Sequence, residues 1–155
     1  GGASAPAQPA WLGFRGSLND EFASPGTKLV LLVDDDESLL DLMDHVVKKE
    51  GFRTERASDG LEALRKIEAL HPDLIVLDFM LPNMGGYETL RELQAKGFGD
   101  IPIVVVTGRY MDQQGIDMVR QEPNVKDFQQ KPVRPAALTA ALHRILGTKP
   151  AGEGA

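Results

Sequence analysis

Between Lys28 and Leu146, short unbroken apolar runs alternate with longer stretches whose apolar residues recur every three or four positions. Leu29–Val33 (LVLLV), Leu74–Leu77 (LIVL) and Ile103–Val106 (IVVV) have the pattern of strands buried on both faces. Phe52–Ala57 and Lys126–Gln129 carry weaker strand signals. Ser38–Glu50 sets Leu39, Leu42, Met43, Val46 and Val47 on one helical face, and Gly51 supplies its C-terminal cap. Further helices are predicted over Gly60–Leu70, Gly86–Ala95, Asp112–Gln121 and Pro135–Leu146. Asp59 can cap the first of these, Pro72 lies just past its end, and the last has proline in its first turn. Five successive strand–helix units predict an α/β fold, a doubly wound five-stranded parallel sheet with five helices on its two faces. In such a sheet the first and third strands are neighbours, and a site lies outside the carboxyl ends of the strands.

Composition changes the picture at the two ends. The 16 glycines and 10 prolines are about 17% of 155 residues, against roughly 12% on average. Twelve of those 26 lie in residues 1–27 and 147–155, which read as a Gly/Ala/Pro-rich linker or arm and a flexible tail. Residues 28–146 are then the domain. Trp11, Phe14, Leu18 and Phe22 recur at helical spacing within the arm and fit a short amphipathic helix, which Gly13 and Gly16 oppose. A chain that begins with Gly and carries linker sequence at both ends is expected to be a processed product or a piece of something longer.

Charge and cysteine content narrow the function. Lys and Arg number 17 against 23 Asp and Glu, a net charge of −6, so a basic footprint for nucleic acid or anionic membrane is absent. The absence of cysteine excludes disulfides, thiolate metal sites and a cysteine nucleophile. No apolar run approaches the roughly 20 residues of a membrane span, and there is no secretory leader pattern, so the chain is read as soluble and cytoplasmic.

The chemistry gathers where the topology puts it. Asp34, Asp35, Asp36 and Glu37 follow the first strand, Asp78 the third, Thr107-Gly108 the fourth and Lys131-Pro132 the fifth. Adjacent first and third strands bring Asp34 and Asp35 toward Asp78, and two carboxylates about 4 Å apart repel by roughly 4 kcal/mol at an effective dielectric near 20. Hard oxygen ligands in a partly wet pocket suit Mg²⁺, which takes one or two carboxylates plus substrate phosphate. Lys131 and Thr107 add an ammonium and a hydroxyl donor for phosphoryl oxygens. A carboxylate nucleophile, a divalent ion and two oxyanion donors make phosphoryl-transfer chemistry. Singly, each residue is better read as a cap, a solvated helix turn or a surface lysine; the joint placement carries the argument. His45, His71 and His143 have no partner at metal-ligand spacing and read as structural or solvated.

The runs VLLVDDDESLL, DLIVLDFMLPNMGG, IPIVVVTG and KPV resemble, in order and spacing, the response regulator receiver domain of bacterial two-component signalling, across Lys28–Leu146. The resemblance implies a flavodoxin-like sheet of order 2-1-3-4-5 and a signalling domain rather than an enzyme. It implies that Asp78 is phosphorylated by a histidine kinase or histidine phosphotransfer protein. Mg²⁺ would then sit on Asp35, Asp78 and the Met80 backbone carbonyl, with Asp34 in the acidic pocket. Thr107 would hydrogen-bond the phosphoryl group, Lys131 would pair with it, and Phe128 would be the switching aromatic that alters the surface of the fourth helix, last strand and last helix. Gly108 would leave the site open to a donor, and the Lys131-Pro132 bond would be cis. A downstream protein partner of unread identity is implied, a homodimer is left open, and no direct nucleic acid or membrane binding by this chain is expected. Gln129 and Gln130 stand where similar domains have apolar residues, and Gly85 where an acidic residue or Asn is common.

Three other functions fit the residues less well. A haloacid-dehalogenase-type phosphatase needs an acid two residues after the nucleophile, and that position is Met80. A flavodoxin-like cofactor binder needs a phosphate cradle where Asp34–Glu37 would repel phosphate. A phosphorylation-independent docking module would be expected to lack an acidic, acceptor, Thr or Lys position, and all are present.

Overall fold

The structure is a computed structural model that describes residues 22–108 and 111–150. Five strands, β1 (Leu29–Val33), β2 (Arg53–Ala57), β3 (Leu74–Asp78), β4 (Ile103–Thr107) and β5 (Val125–Gln130), form one parallel sheet in the order β2-β1-β3-β4-β5. Each of the five is followed by a helix: α1 (Glu37–Lys49), α2 (Gly60–Leu70), α3 (Gly86–Ala95), α4 (Gln113–Arg120) and α5 (Pro135–Leu146). The alternation of each central strand divides its side chains between two cores. Val30, Leu32, Leu74, Val76, Val104 and Val106 meet α1 and α5 through Met43, Val47, Leu138 and Leu142. Leu31, Val33, Ile75, Leu77, Ile103 and Val105 face the opposite layer, where Ile67, Leu90, Leu93 and Val119 of α2, α3 and α4 cover them. Both faces of β1, β3 and β4 are therefore dry, which is why their sequences run apolar without a break.

The edges differ. β2 (RTERA) is an edge strand, and its Arg56 guanidinium reaches Asp41 on α1 at 2.8 Å. At the other edge, β5 holds a register shift: Ile103 pairs Val125 but Val104 pairs Asp127, so Lys126 is the extra residue of a bulge. The shift lets both Val125 and Phe128 pack on the α4 side. Gln129 donates through Nε2 to the Ala137 carbonyl of α5 at 3.0 Å. Of the polar pair in this strand, Gln130 is exposed and Gln129 bonds α5 through Nε2, while its Oε1 is buried without a hydrogen-bond partner among the described residues.

The helix boundaries follow their caps. Asp36 accepts from the Ser38 and Leu39 amides, Asp59 from Glu62 and Asp112 from Gly115. Gly51 and Gly147 follow α1 and α5 with φ of 99° and 65°, a region that suits glycine. Packed structure reaches past residues 28–146 on both sides. The Ala23 amide donates to the Gly147 carbonyl at 2.8 Å, and Ala23 bridges Thr148. His143 is buried on Phe52, with Nδ1 2.7 Å from Thr148 Oγ1 and Nε2 2.7 Å from Glu50 Oε1. Of the stripe Trp11, Phe14, Leu18 and Phe22, the first three lie outside the described residues, and Phe22 is exposed. Among the described residues no helix is long and apolar enough to cross a membrane.

Candidate functional site

The carboxyl ends of β1, β3, β4 and β5 meet at one rim, and each delivers one part of the site. At the end of β1 the acidic run divides its labour by position. Asp34 is fully buried, and its Oδ1 accepts from the Asp36 amide at 2.9 Å. Asp36 is spent on capping α1, Glu37 lies in the first helical turn, and Asp35 is exposed above them. At the end of β3, Asp78 is 2% exposed and its Oδ1 accepts from the Met80 amide at 3.2 Å. One carboxylate oxygen from each of Asp34, Asp35 and Asp78 lies within 4.8 Å of the others.

Among the described residues, one cation faces them. The Lys131 amide donates to the Thr107 carbonyl at 2.7 Å, continuing the β4–β5 ladder by one residue, and the Lys131-Pro132 peptide is cis. From there Lys131 Nζ stands 3.2 Å from Asp34 Oδ2 and 3.3 Å from Asp78 Oδ2. Thr107 is buried at the end of β4, and a Cβ added at Gly108 would meet nothing within 4 Å among the described residues. Burial, and then the Asp34 charge, push the Asp78 carboxyl up to about 6, against the opposing pull of the Met80 amide and Lys131. Burial alone would lower Lys131, but the Asp78 and Asp34 charges outweigh it and hold the ammonium above its usual range.

Among the described residues, three carboxylates against one ammonium leave a local charge of −2, the complement of a divalent cation. Asp34 Oδ2 is buried and accepts no aligned hydrogen bond, only the charge contact with Lys131. A buried anionic oxygen in that state is costly unless a cation or water meets it. Oxygen donors only, two of them buried (Asp34, Asp78) and one open to water (Asp35), fit Mg²⁺ rather than a softer metal.

Comparison with known proteins settles the family. Residues 30–143 match the family described as the response regulator receiver domain. The chain belongs to that family. The receiver is 36% identical over 119 residues to the alkaline phosphatase synthesis transcriptional regulatory protein PhoP of Bacillus subtilis, covering 77% of this chain and 48% of the relative. It is 38% identical over 118 residues to the DNA-binding response regulator MtrA of Mycobacterium tuberculosis, covering 76% of this chain and 50% of the relative. It thus spans about half the length of the curated relatives it matches. Among solved structures, a CheY-like response regulator receiver domain from Methanospirillum hungatei aligns with a TM-score of 0.71 at 30% identity, over 77% of this chain and 93% of that one. The receiver domain of a sensor histidine kinase from Pseudomonas aeruginosa, whose structure has a magnesium ion coordinated in the active site cleft, aligns with a TM-score of 0.69 at 26% identity, over 81% and 100%. The chain is therefore a receiver domain of the kind found in two-component signalling.

Of the site residues singled out in the sequence, Asp34, Asp35, Asp78, Thr107, Gly108 and Lys131 stand at this rim, Met80 follows Asp78 by two positions, and Phe128 lies within β5, paired with Val105; the structure adds three features. The Arg120 guanidinium carbon stands 5.4 Å from the centroid of the Phe128 ring. Asn83 donates through Nδ2 to Asp59 Oδ2 at 2.9 Å, tying the loop after Asp78 to the start of α2. His143, read as structural or solvated, is structural and joins α1, α5 and the segment after α5. Asp59 carried a signal as a helix cap and Asn83 one as a turn residue, but their pairing across 24 positions had none.

Proposed function

We propose that this receiver is a phospho-accepting switch, with Asp78 taking a phosphoryl group from a histidine kinase or histidine phosphotransfer protein with Mg²⁺. The observation that carries this reading is a buried carboxylate at the end of the central strand, facing one ammonium and two further carboxylates. With its carboxyl near 6, Asp78 is mostly ionised at neutral pH yet more basic than an ordinary aspartate, which suits a nucleophile. An Asp78 oxygen attacks the phosphorus of a phosphoimidazole. The O–P bond forms as the P–N bond breaks, and the imidazole nitrogen keeps the electron pair and takes up a proton.

Asp35, Asp78 and the Met80 main-chain carbonyl would hold Mg²⁺, and Asp34 would complete the acidic pocket. Bound there, Mg²⁺ supplies positive charge against the transferring phosphoryl oxygens. Lys131 pairs with a second phosphoryl oxygen, releasing part of its hold on Asp78, and the Thr107 hydroxyl donates to a third. Gly108 leaves the approach clear. The product carries about one to two more negative charges, and Thr107 moving toward them vacates space for Phe128. The α4–β5–α5 surface then differs between two populations, which a downstream partner can read. A histidine kinase donor places this work in the cytoplasm.

Beryllofluoride or acetyl phosphate with Mg²⁺ is expected to shift the amide resonances of Asp78, Met80, Thr107 and Lys131, and Asp78→Asn is expected to abolish the shifts. No response in the wild-type chain would defeat the proposal.

A further inference from the structure

The loop between β3 and α3 joins Asp78 to α3 and contains Met80, and it is held against a helix that takes no part in the chemistry. Its start is pinned twice, by Phe79 donating to the Val106 carbonyl at 2.9 Å and by Gly86 donating to the Phe79 carbonyl at 3.0 Å. Its far end has a different anchor. Asn83 takes φ of 67°, and Met84 donates across it to the Pro82 carbonyl at 2.7 Å, so the chain turns sharply there. That turn aims the Asn83 amide at Asp59 Oδ2, 2.9 Å away, while Asp59 Oδ1 accepts from the Glu62 amide at 2.7 Å. One carboxylate therefore caps α2 and grips the loop, and the cap fixes the orientation that the grip needs. The next residue completes the seat. A Cβ on Gly60 would stand 2.4 Å from the Met84 carbonyl oxygen and 2.7 Å from Thr89 Oγ1, so only glycine lets the loop lie this close.

We infer that the Asp59–Asn83 hydrogen bond and the Gly60 seat form a clasp that positions the Met80 segment and thereby sets the affinity of the site for a divalent cation. The inference rests on the reading of Asp34, Asp35, Asp78 and the Met80 carbonyl as the cation pocket. Asp59 and Asn83 are positioning residues, since neither belongs to the carboxylate cluster. A hydrogen bond to a charged acceptor on an exposed loop, acting on ligands one shell inward, is worth about 3- to 10-fold in metal affinity.

The charges give the test a sign that separates the clasp from simple electrostatics. Asn83→Asp adds a negative charge near a cation site and by field alone should tighten Mg²⁺ binding. Set against Asp59 it must instead open the clasp and weaken it. Asn83→Gly keeps the left-handed turn and loses only the amide, and Gly60→Ala lifts the loop without touching either partner. The experiment is titration of the full chain with MgCl₂, followed by the amide resonances of Asp34, Asp35 and Met80, with melting temperature measured in parallel. Expected are weaker Mg²⁺ binding by about 3- to 10-fold in all three variants and a near-wild-type melting temperature for Asn83→Gly. Asn83→Asp binding as tightly as wild type, or Asn83→Gly and Gly60→Ala both within twofold of it, would overturn the clasp while leaving the cation pocket intact. A wild-type chain that shows no Mg²⁺-dependent shift overturns the pocket and the clasp together.

Discussion

Replacing Asp78 by Asn removes one of three crowded carboxylates, and the structure gives the sign and size of the effect on stability. Asp34 and Asp78 present oxygens within 4.8 Å of each other, a repulsion of about 3–4 kcal/mol at an effective dielectric near 20. Burial, the larger cause, and the Asp34 charge together raise the Asp78 carboxyl from 3.8 to about 6 against the opposing pull of the Met80 amide and Lys131. A shift of about two units corresponds to about 3 kcal/mol by which ionised Asp78 disfavours the folded state at pH 7. A raised carboxyl means that the folded chain binds more protons than the unfolded one between about pH 4 and pH 6. Stability from this group is thus present below about pH 4 and is lost as pH rises through 6. Asn holds the neutral shape at every pH. It gives up the 3.3 Å ion contact with Lys131, which keeps Asp34 at 3.2 Å, so the net gain is about 1–3 kcal/mol at pH 7.5. That is a rise in melting temperature of about 3–10 °C. Urea unfolding and thermal melts at pH 4.5 and 7.5 check it, and the gap between Asp78→Asn and wild type should be small at the lower pH and open at the higher. Added MgCl₂ should close the gap by stabilising wild type more than the variant. A variant no more stable than wild type at pH 7.5, or a gap that ignores pH, would refute the electrostatic account.

Lys131→Met leaves Asp34 and Asp78 facing each other without their cation and should lower stability at pH 7.5 by about 1–3 kcal/mol in urea unfolding, less at pH 4.5. Arg120→Ala removes the cation resting on the Phe128 ring, a loss of about 0.5–1 kcal/mol, and should move the Phe128 ring-proton shifts of the unphosphorylated chain toward those seen with beryllofluoride. His143→Ala opens a cavity against Phe52 and strips Thr148 of its partner, so a loss of about 2–4 kcal/mol is expected, with faster hydrogen exchange at the Ala23 and Thr148 amides. Unchanged exchange there would show that the segments flanking the sheet do not depend on this residue.

What the residues alone disclose, and what they hide, divides along a physical line. Strands such as LIVL and IVVV are buried on both faces, so their apolar runs expose their place at the sheet centre, and β3 ends at Asp78 because the dry layer ends there. Parallel topology then forces every strand-end residue to one rim, and Asp34, Asp78, Thr107 and Lys131 are legible as a group in the sequence. Positioning is different, because its partners are set by loop paths. Asn83 and Asp59 each advertise a local turn or cap, and nothing local says that the two turns touch. The reach of packed structure to Ala23 and Thr148 was hidden by composition, since a glycine- and proline-rich segment looks like a tether even where one hydroxyl meets a buried histidine.

β5 shows the same division within one strand. Read with a strict period of two from Lys126, the segment VKDFQQ puts Lys126, Phe128 and Gln130 on one face and gives no place for Val125. The bulge opposite Ile103 and Val104 removes Lys126 from the count, returning Val125 and Phe128 together to the α4 side and Asp127 and Gln129 to the α5 side. Arg120, at the end of α4, can then lie over the Phe128 ring, and Gln129 can reach the Ala137 carbonyl. The aromatic that the family resemblance marks for switching is thus aimed by an irregularity that hydrophobic periodicity cannot register. Its strand is held on α5 by a polar side chain that periodicity counted against it. A strand that must let one side chain move while its neighbours stay paired is better served by such directional bonds than by apolar packing on both faces, because a hydrogen bond fixes register without filling the space the ring needs.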